Sequence, residues 1–578
     1  MKMEQKDTTL LTPVKRFFNL LKVDRQEVFS IYIYALFNGV VTLSIPLGIQ
    51  AIISFLTAGE TSTSWIILVI FVILGVAFTG IMQIMQLSIT ENLQQKIFTR
   101  SAFEFAYRIP RIKSESVDKH YVPELVNRFF DTLSVQKGLA KIIMDFSSAS
   151  LQIVFGLILL SLYHPVFIMF SLVLVIIVYL IFKYTIPKGI KTSLSESTYK
   201  YEVAHWLEEV ARTTSTFKLA GKTDLPLTKT DEKVLGYLHY RKAHFKTLMT
   251  QYINLVGFKV IIAAGLLLIG GALVINQQMN IGQFVASEII IILVLASVEK
   301  LILSMETIYD VLTAVEKIGL VTDLPLEEDK GTKLNKEDNG VEIKVKNLSY
   351  QFKDEKTPIV SDISFTLHKG EKLSVVGASG AGKSFLLQLI AGLYEEFNGS
   401  IVFDGYPINS LCKENLRTYI GDNFSREDIF KGTIAENISI GKKSITIEDI
   451  KNAATILGLI DYIEAQPQGY NTVLLSEGKN LPKSIRLKII LARAIVGEQR
   501  LLLLEDNYKQ LPLIDKQRFL DYIFAEDKTW SIIAVTDDLD IAKKFDAILV
   551  LEKGQTIGYG SYDALNKEGL LFNVFQKR

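Results

Sequence analysis

The sequence predicts an α-helical transmembrane domain of six spans with long cytosolic helical extensions, followed by an α/β domain built around a phosphate-binding loop. Three observations predict it. Long uncharged stretches recur through the N-terminal half. Between pairs of them lie polar segments of more than fifty residues, Glu91 to Lys141 and Tyr184 to Thr247, with apolar residues at helical spacing and few breakers. The C-terminal half carries Gly377-Ala-Ser-Gly-Ala-Gly-Lys-Ser384 between an apolar strand and a helix.

The composition agrees. Hydrophobic residues make up 49% of the 578 residues, and the mean hydropathy is +0.27, both high for a soluble chain of this size. Such a length implies several domains. With 63 basic and 62 acidic side chains the net charge is +1, so no global field favours nucleic acid as a partner. Cys412 is the sole cysteine, which excludes an intrachain disulfide and a cysteine-based metal site. The stretch Met1 to Arg25 is polar and shows no cleavable signal pattern.

A span needs about 20 apolar residues at a rise of about 1.5 Å each. Val28 to Gly59 and Thr61 to Thr90 contain no charged residue, and Glu60 lies between them. Phe146 to Phe182 is broken at His164-Pro165 and reads as two spans in a tight hairpin. Leu248 to Ile275 and Phe284 to Leu303 form a third hairpin. The expected spans are therefore about 29–56, 65–89, 146–162, 166–182, 248–275 and 284–303, within a membrane domain of residues 1–325 in contact with lipid. Lys15, Arg16, Lys22 and Arg25 precede the first span, and Lys96, Arg100, Arg108, Lys183 and Lys188 follow the second and fourth. The three short turns carry no Lys or Arg, so both termini and the long loops are expected in the cytosol. Lys259 and Glu288 sit inside the third hairpin. Either they pair, or Lys259 reaches an interface, or Glu288 lines a substrate path.

Residues 326–340 are polar and charged and read as a linker to a nucleotide-binding domain over 341–578. The motif at 377–384 matches G-x-x-x-x-G-K-[ST] in its required setting, after the strand Lys372-Leu-Ser-Val-Val376 and before the helix that Phe385 opens. Gly377, Gly380 and Gly382, with Ser379 and Ala381 between them, let backbone N–H groups converge on phosphate oxygens. The helix start adds partial positive charge. Lys383 is placed for the outer phosphates and Ser384 for Mg²⁺. ATP and Mg²⁺ are the expected ligands. Leu501-Leu-Leu-Leu504 then ends in Glu505-Asp506, an apolar strand that delivers one carboxylate to Mg²⁺ and a second, catalytic one to water. A strand ending in solvated acids is the alternative, and a packed core position is open for Tyr350 at its own strand end.

Six spans, stalk-like loops and a P-loop domain together resemble an ABC exporter half-transporter over nearly the whole chain. "VKNLSYQF" (345–352) resembles the segment ending in the adenine-stacking aromatic, which this resemblance puts at Tyr350. "GSIVFDG" (399–405), "FKGTIAENI" (430–438) and "IILARAIV" (489–496) resemble the hairpin after the P-loop helix, the stretch after the Q-loop and the helix after the signature motif. "ELVNRFFDT" (124–132) resembles the stretch after the first coupling helix, "TSTFKLAGKTD" (214–224) resembles the second coupling region, and "LSIPLGIQAIISFL" (43–56) resembles the first span of type I secretion exporters. The resemblance implies an obligate dimer, a homodimer or a heterodimer with an intact half, in a bacterial inner membrane. Its secretion branch implies a periplasmic adaptor.

The chain departs from the family pattern at five places. Ser425 stands at the Q-loop glutamine, and Pro482, Lys483 and Ser484 stand inside the signature motif. The acidic pair is reversed to Glu505-Asp506, Pro512 stands at the D-loop aspartate, and Asp537 at the switch histidine. Asp506 is one methylene shorter than glutamate, and a misplacement near 1 Å costs about a hundredfold in rate. Pro482 has no N–H to offer a phosphate, and Asp537 brings like charge toward one. The expectation is an exporter with slow ATP hydrolysis, or a subunit that binds ATP to regulate or scaffold an active partner.

Overall fold

The structure, a computed structural model, describes residues 11–57, 63–118, 121–335, 339–424 and 429–571. It divides into two compact units. The first comprises Met1–Arg111 with Lys119–Leu324, and the second Ile112–Asp118 with Pro325–Arg578.

In the first unit, α1 (Leu11–Val23) leads into α2 (Arg25–Thr42) and α3 (Ser44–Thr57). The break between α2 and α3 has a local cause. Pro46 lies in the first turn of α3, where its missing N–H is harmless, but its ring is incompatible with an uninterrupted helix through Thr42. The helix α4 (Thr63–Arg108) continues without interruption from the second expected span into the polar stretch beyond it. Past α5 (Ser114–Val117), which belongs to the second unit, the first unit resumes with α6 (Val122–Asn127), α7 (Asp131–Tyr163), α8 (Val166–Arg212), α9 (Thr214–Leu219), α10 (Leu225–Ile275) and α11 (Ile281–Thr322). Among the described residues, six helical segments are long and apolar enough to cross a membrane. The 51 residues of α10 extend about 76 Å, far beyond the roughly 30 Å hydrocarbon layer. Apart from the first span, which α2 and α3 share, the spans are thus parts of single long helices.

Helices α8 and α10, and α7 and α11, pack as pairs around a core that includes Leu160, Phe167, Phe258 and Val294. A Cβ at Gly189 would lie 2.2 Å from the Tyr309 ring, so α8 and α11 approach closely because the residue there is glycine. The pairing considered between Lys259 and Glu288 is not the one formed. Lys259 Nζ lies 2.6 Å from Glu299, and Lys300 lies 2.9 Å from Asp145 on α7. Glu288 is half-buried on α11, three turns from Glu299, too far along the helix to share the same lysine.

The second unit has two main sheets. Strands β1 (Ile343–Tyr350), β2 (Val360–Leu367), β4 (Asn398–Phe403) and β5 (Tyr406–Pro407) form an antiparallel sheet in the order β2-β1-β4-β5. The other has the order β12-β11-β3-β10-β9-β6. Its members are β3 (Lys372–Gly377), β6 (Ile420–Asp422), β9 (Leu501–Leu504), β10 (Ser531–Val535), β11 (Ala547–Glu552) and β12 (Gln555–Gly560). All pairs in it are parallel except β11–β12. The short β7 (Gly432–Thr433) and β8 (Val473–Leu474) pair separately. In the parallel sheet, strands β9, β10 and β11 read as near-continuous apolar runs, buried almost end to end, as strands with helices on both faces do. These helices include α12 (Lys383–Ile390), α13 (Lys413–Thr418), α14 (Ile434–Ser439), α15 (Ile447–Ile456), α16 (Ile460–Glu464), α17 (Lys483–Ile495), α18 (Leu513–Ile523), α19 (Leu539–Ala542) and α20 (Tyr562–Lys567).

The stretch expected as a linker is pinned along much of its described length. Arg417 holds Glu327 with both guanidinium nitrogens at 2.6 and 2.8 Å. The Leu334 N–H donates to Asn415. The buried Arg500 donates to the carbonyls of Asn339 and Gly340 and to Asp404. A second segment docks within the same unit: Lys113 pairs with Glu395 at 2.6 Å, the Tyr394 hydroxyl donates to Asp118 at 3.0 Å, and the Lys113 N–H donates to the Pro325 carbonyl.

Candidate nucleotide site

The register of the parallel sheet assembles the site. Val375 of β3 lies opposite Val535 of β10, and Ala534 of β10 lies opposite Leu504 of β9. The three strands therefore end together, and their C-terminal extensions gather at one edge: the loop 377–384, Thr536-Asp537 and Glu505-Asp506. This is where open α/β sheets bind ligands.

The loop fits a polyphosphate. Gly377 has φ +154°, and a Cβ there would lie 2.2 Å from the Leu551 carbonyl oxygen. Gly382, at φ +89°, caps α12 in the left-handed region, and its Cβ would lie 2.8 Å from the Ile359 carbonyl oxygen. Only glycine lets the loop turn there. No side chain caps α12, so its first-turn N–H groups are available to an anion. Lys383 Nζ arches back over the loop, donating to the carbonyls of Gly377 and Ala378 at 2.6 and 2.9 Å. Ala381 is buried and its N–H donates to the Ala378 carbonyl, while Ser379, Gly380 and Ser384 are exposed.

Beside the loop stand four aromatic rings. Tyr350 is 5% exposed and lies 4.8 Å from Phe385 and 5.3 Å from both Phe352 and Tyr394. Its ring is enclosed by the others. Phe352, two residues further on, is only partly buried. The motif LSYQF contains two aromatics spaced for one strand face, and reading it as ending at the first hid the second.

Glu505 is 8% exposed. Its main chain is held by Asn423, two residues before the Q-loop position. Ser425 itself lies outside the described residues. Asp506 opens a 3₁₀ turn, Asp506–Gln510, anchored by the buried Tyr508. Side chains three apart eclipse in such a turn, and Lys509 accordingly meets Asp506 at 3.0 Å. The same ammonium lies 3.1 Å from Asp537. Asp506 Oδ1 is buried and has no hydrogen-bond partner among the described residues. Burial pushes the Asp506 carboxyl up to about 7; neighbouring Asp537 acts in the same direction and Lys509 opposes it. Neither Lys509 nor Asn423 stood out in the sequence. The readable signal for Lys509 was an acid followed three residues later by a lysine.

Pro482 caps α17, with Lys483 and Ser484 in its first turn. They lead into the second apolar core, not the one beneath the P-loop. Leu475-Ser-Glu-Gly-Lys479, which looks closer to a signature motif, instead forms a separate turn before α17, with Glu477 at φ 60°. Pro512 caps α18.

Comparison with known proteins accords with this geometry. Residues 28–298 match the family model of the ABC transporter transmembrane region, and 360–508 that of the ABC transporter domain. Together they cover nearly three quarters of the chain. The chain is 26% identical over 449 residues to the transport/processing ATP-binding protein ComA of Streptococcus pneumoniae, covering 77% of this chain and 62% of that protein. It is 28% identical over 350 residues to the exotoxin translocation ATP-binding protein PaxB of Pasteurella aerogenes, covering 60% and 49%. The alpha-hemolysin translocation ATP-binding protein HlyB of Escherichia coli is 27% identical over 341 residues, covering 58% and 48%. The matched regions thus span about half to two thirds of these relatives' length. A solved bacterial Atm1-family ABC exporter with ATP bound superposes with a TM-score of 0.83 at 18% identity, over 96% of this chain and 98% of that one, which establishes the shared fold. The chain belongs to the ABC transporters, with a transmembrane region and an ATP-binding domain in one polypeptide.

Proposed function

We propose that this chain is one half of a dimeric ABC exporter in a bacterial inner membrane, with both termini and the nucleotide domain in the cytosol. The observation that carries the reading is a phosphate cradle, Gly377 to Ser384, in the same chain as six helical segments able to span a bilayer. When bound, Mg²⁺-ATP supplies the phosphoryl group whose transfer to water drives the cycle. The chain's own residues then have distinct tasks. The loop N–H groups and Lys383 bind the phosphates, Ser384 and Glu505 are the candidate Mg²⁺ ligands, and Phe352, rather than the enclosed Tyr350, offers a face to the base. Relatives named for translocating a hemolysin and an exotoxin favour a peptide or protein cargo, and a periplasmic adaptor is the partner that the resemblance to type I secretion exporters implies. Glu288 is a candidate for the substrate path.

Hydrolysis is proposed to be slow. Asp506 is one methylene shorter than glutamate and is engaged by Lys509, so it is a poor orienting group for water. Pro482 removes an N–H from the surface that would face a partner's nucleotide. The same observations support a second reading, in which the chain binds ATP and gates a catalytically intact partner half.

The test is Mg²⁺-ATP binding to the full chain in lipid nanodiscs. Saturable binding that Lys383→Ala abolishes is expected. No saturable binding by the unaltered chain would overturn the proposal.

A further inference from the structure

We infer that Lys509 is a positioning residue whose ammonium shields Asp506 and Asp537, allowing the terminal phosphate of ATP to settle beside two carboxylates. The inference rests on the proposed nucleotide site.

The sheet register sets the placement. Val375 pairs with Val535, the last residue of β10, and the Thr536 N–H still donates to the Val375 carbonyl, so Asp537 leaves β10 beside the strand that opens into the P-loop. Asp506 leaves the next strand over, and the Asp537 N–H donates to its Oδ2. Two carboxylates thus stand at the edge that receives a triphosphate. Unshielded, they would turn the terminal phosphate away.

Lys509 answers this geometrically. It contacts Asp506 at 3.0 Å and both oxygens of Asp537 at 3.1 Å. Its backbone is fixed by Tyr508, 1% exposed, whose ring packs on Phe519 and whose hydroxyl donates to the Val535 carbonyl. Lys509 itself is about half exposed, so it can stay beside its carboxylates while part of its surface faces a ligand. Asp506 engaged in this way keeps its Oδ2 on Lys509 and the Asp537 N–H. The cation that makes the edge tolerant of ATP is therefore also the one that draws Asp506 away from water.

The test measures ATP and ADP affinity of the full chain in nanodiscs, for the unaltered protein, Lys509→Met, Asp537→Asn and the double variant. Lys509→Met is expected to weaken ATP about tenfold or more and ADP much less, because ADP lacks the phosphate nearest the carboxylates. Adding Asp537→Asn should restore ATP affinity to within about threefold, a rescue that a merely structural lysine would not show. Unchanged ATP affinity in Lys509→Met would overturn the inference while leaving the nucleotide site intact. Equal loss of ATP and ADP without rescue would overturn it as well. Absence of ATP binding in the unaltered chain would overturn both the inference and the proposed site.

Discussion

Asn423 is fully buried and grips Glu505 by its main chain on both sides: its Nδ2 donates to the Glu505 carbonyl at 3.0 Å, and the Glu505 N–H donates to its Oδ1 at 2.6 Å. The pair ties the end of β6, which leads to the Q-loop position, to the strand that delivers the acids. Asn423→Ala removes both bonds from a buried setting and is expected to cost about 2–4 kcal/mol. Calorimetry should show a lower unfolding temperature, and titration should show Mg²⁺-dependent ATP binding weakened more than Mg²⁺-free binding.

Arg500 closes the segment ahead of β1 onto the nucleotide domain. It is 4% exposed and holds Asp404 at 2.7 Å together with main-chain carbonyls. Arg500→Ala leaves Asp404 without this buried partner and should destabilise the domain by about 3–5 kcal/mol. Limited proteolysis should then cut within residues 326–340 at least several times faster than in the unaltered chain.

Tyr394 has two separable roles. Its ring packs against Tyr350 and Phe385, and its hydroxyl reaches Asp118. Tyr394→Phe should cost about 1 kcal/mol and leave ATP affinity unchanged. Tyr394→Ala should cost about 3 kcal/mol or more and weaken ATP binding as the aromatic cluster loosens. Thermal melts and titrations on both variants separate the ring from the hydroxyl.

Lys259 and Glu299 lie within the membrane-crossing region of the third hairpin and contact each other at 2.6 Å. Replacing either by alanine leaves a charge unmatched, at a cost of about 2.5–3.5 kcal/mol on insertion scales. The swap Lys259→Glu with Glu299→Lys should recover more than half of the loss in detergent melts. Glu288→Gln should change those melts little.

The sequence made the membrane half legible because uncharged runs longer than a bilayer crossing admit few other folds. It also made the P-loop legible, since eight consecutive residues carry the whole motif. What it concealed depends on partners distant in sequence. Lys259 chose Glu299 over Glu288 because α10 and α11 set the register, which no spacing reveals. Tyr350 looked like the stacking aromatic until the cluster with Phe385 and Tyr394 enclosed it. Lys509 gained its role from Asp537, 28 residues on and on a neighbouring strand. Segment 112–118 joined the second unit across more than two hundred intervening residues through Glu395 and Tyr394.

The most direct test of the account is steady-state ATP turnover by the pure chain in lipid nanodiscs, alongside Lys383→Ala. The account predicts turnover well below about 1 s⁻¹, a slow rate for an enzyme, and close to that of the Lys383→Ala variant, while the unaltered chain still binds ATP. Turnover of about 1 s⁻¹ or faster that Lys383→Ala abolishes would contradict it. Asp506 would then be a working catalytic carboxylate despite its contact with Lys509.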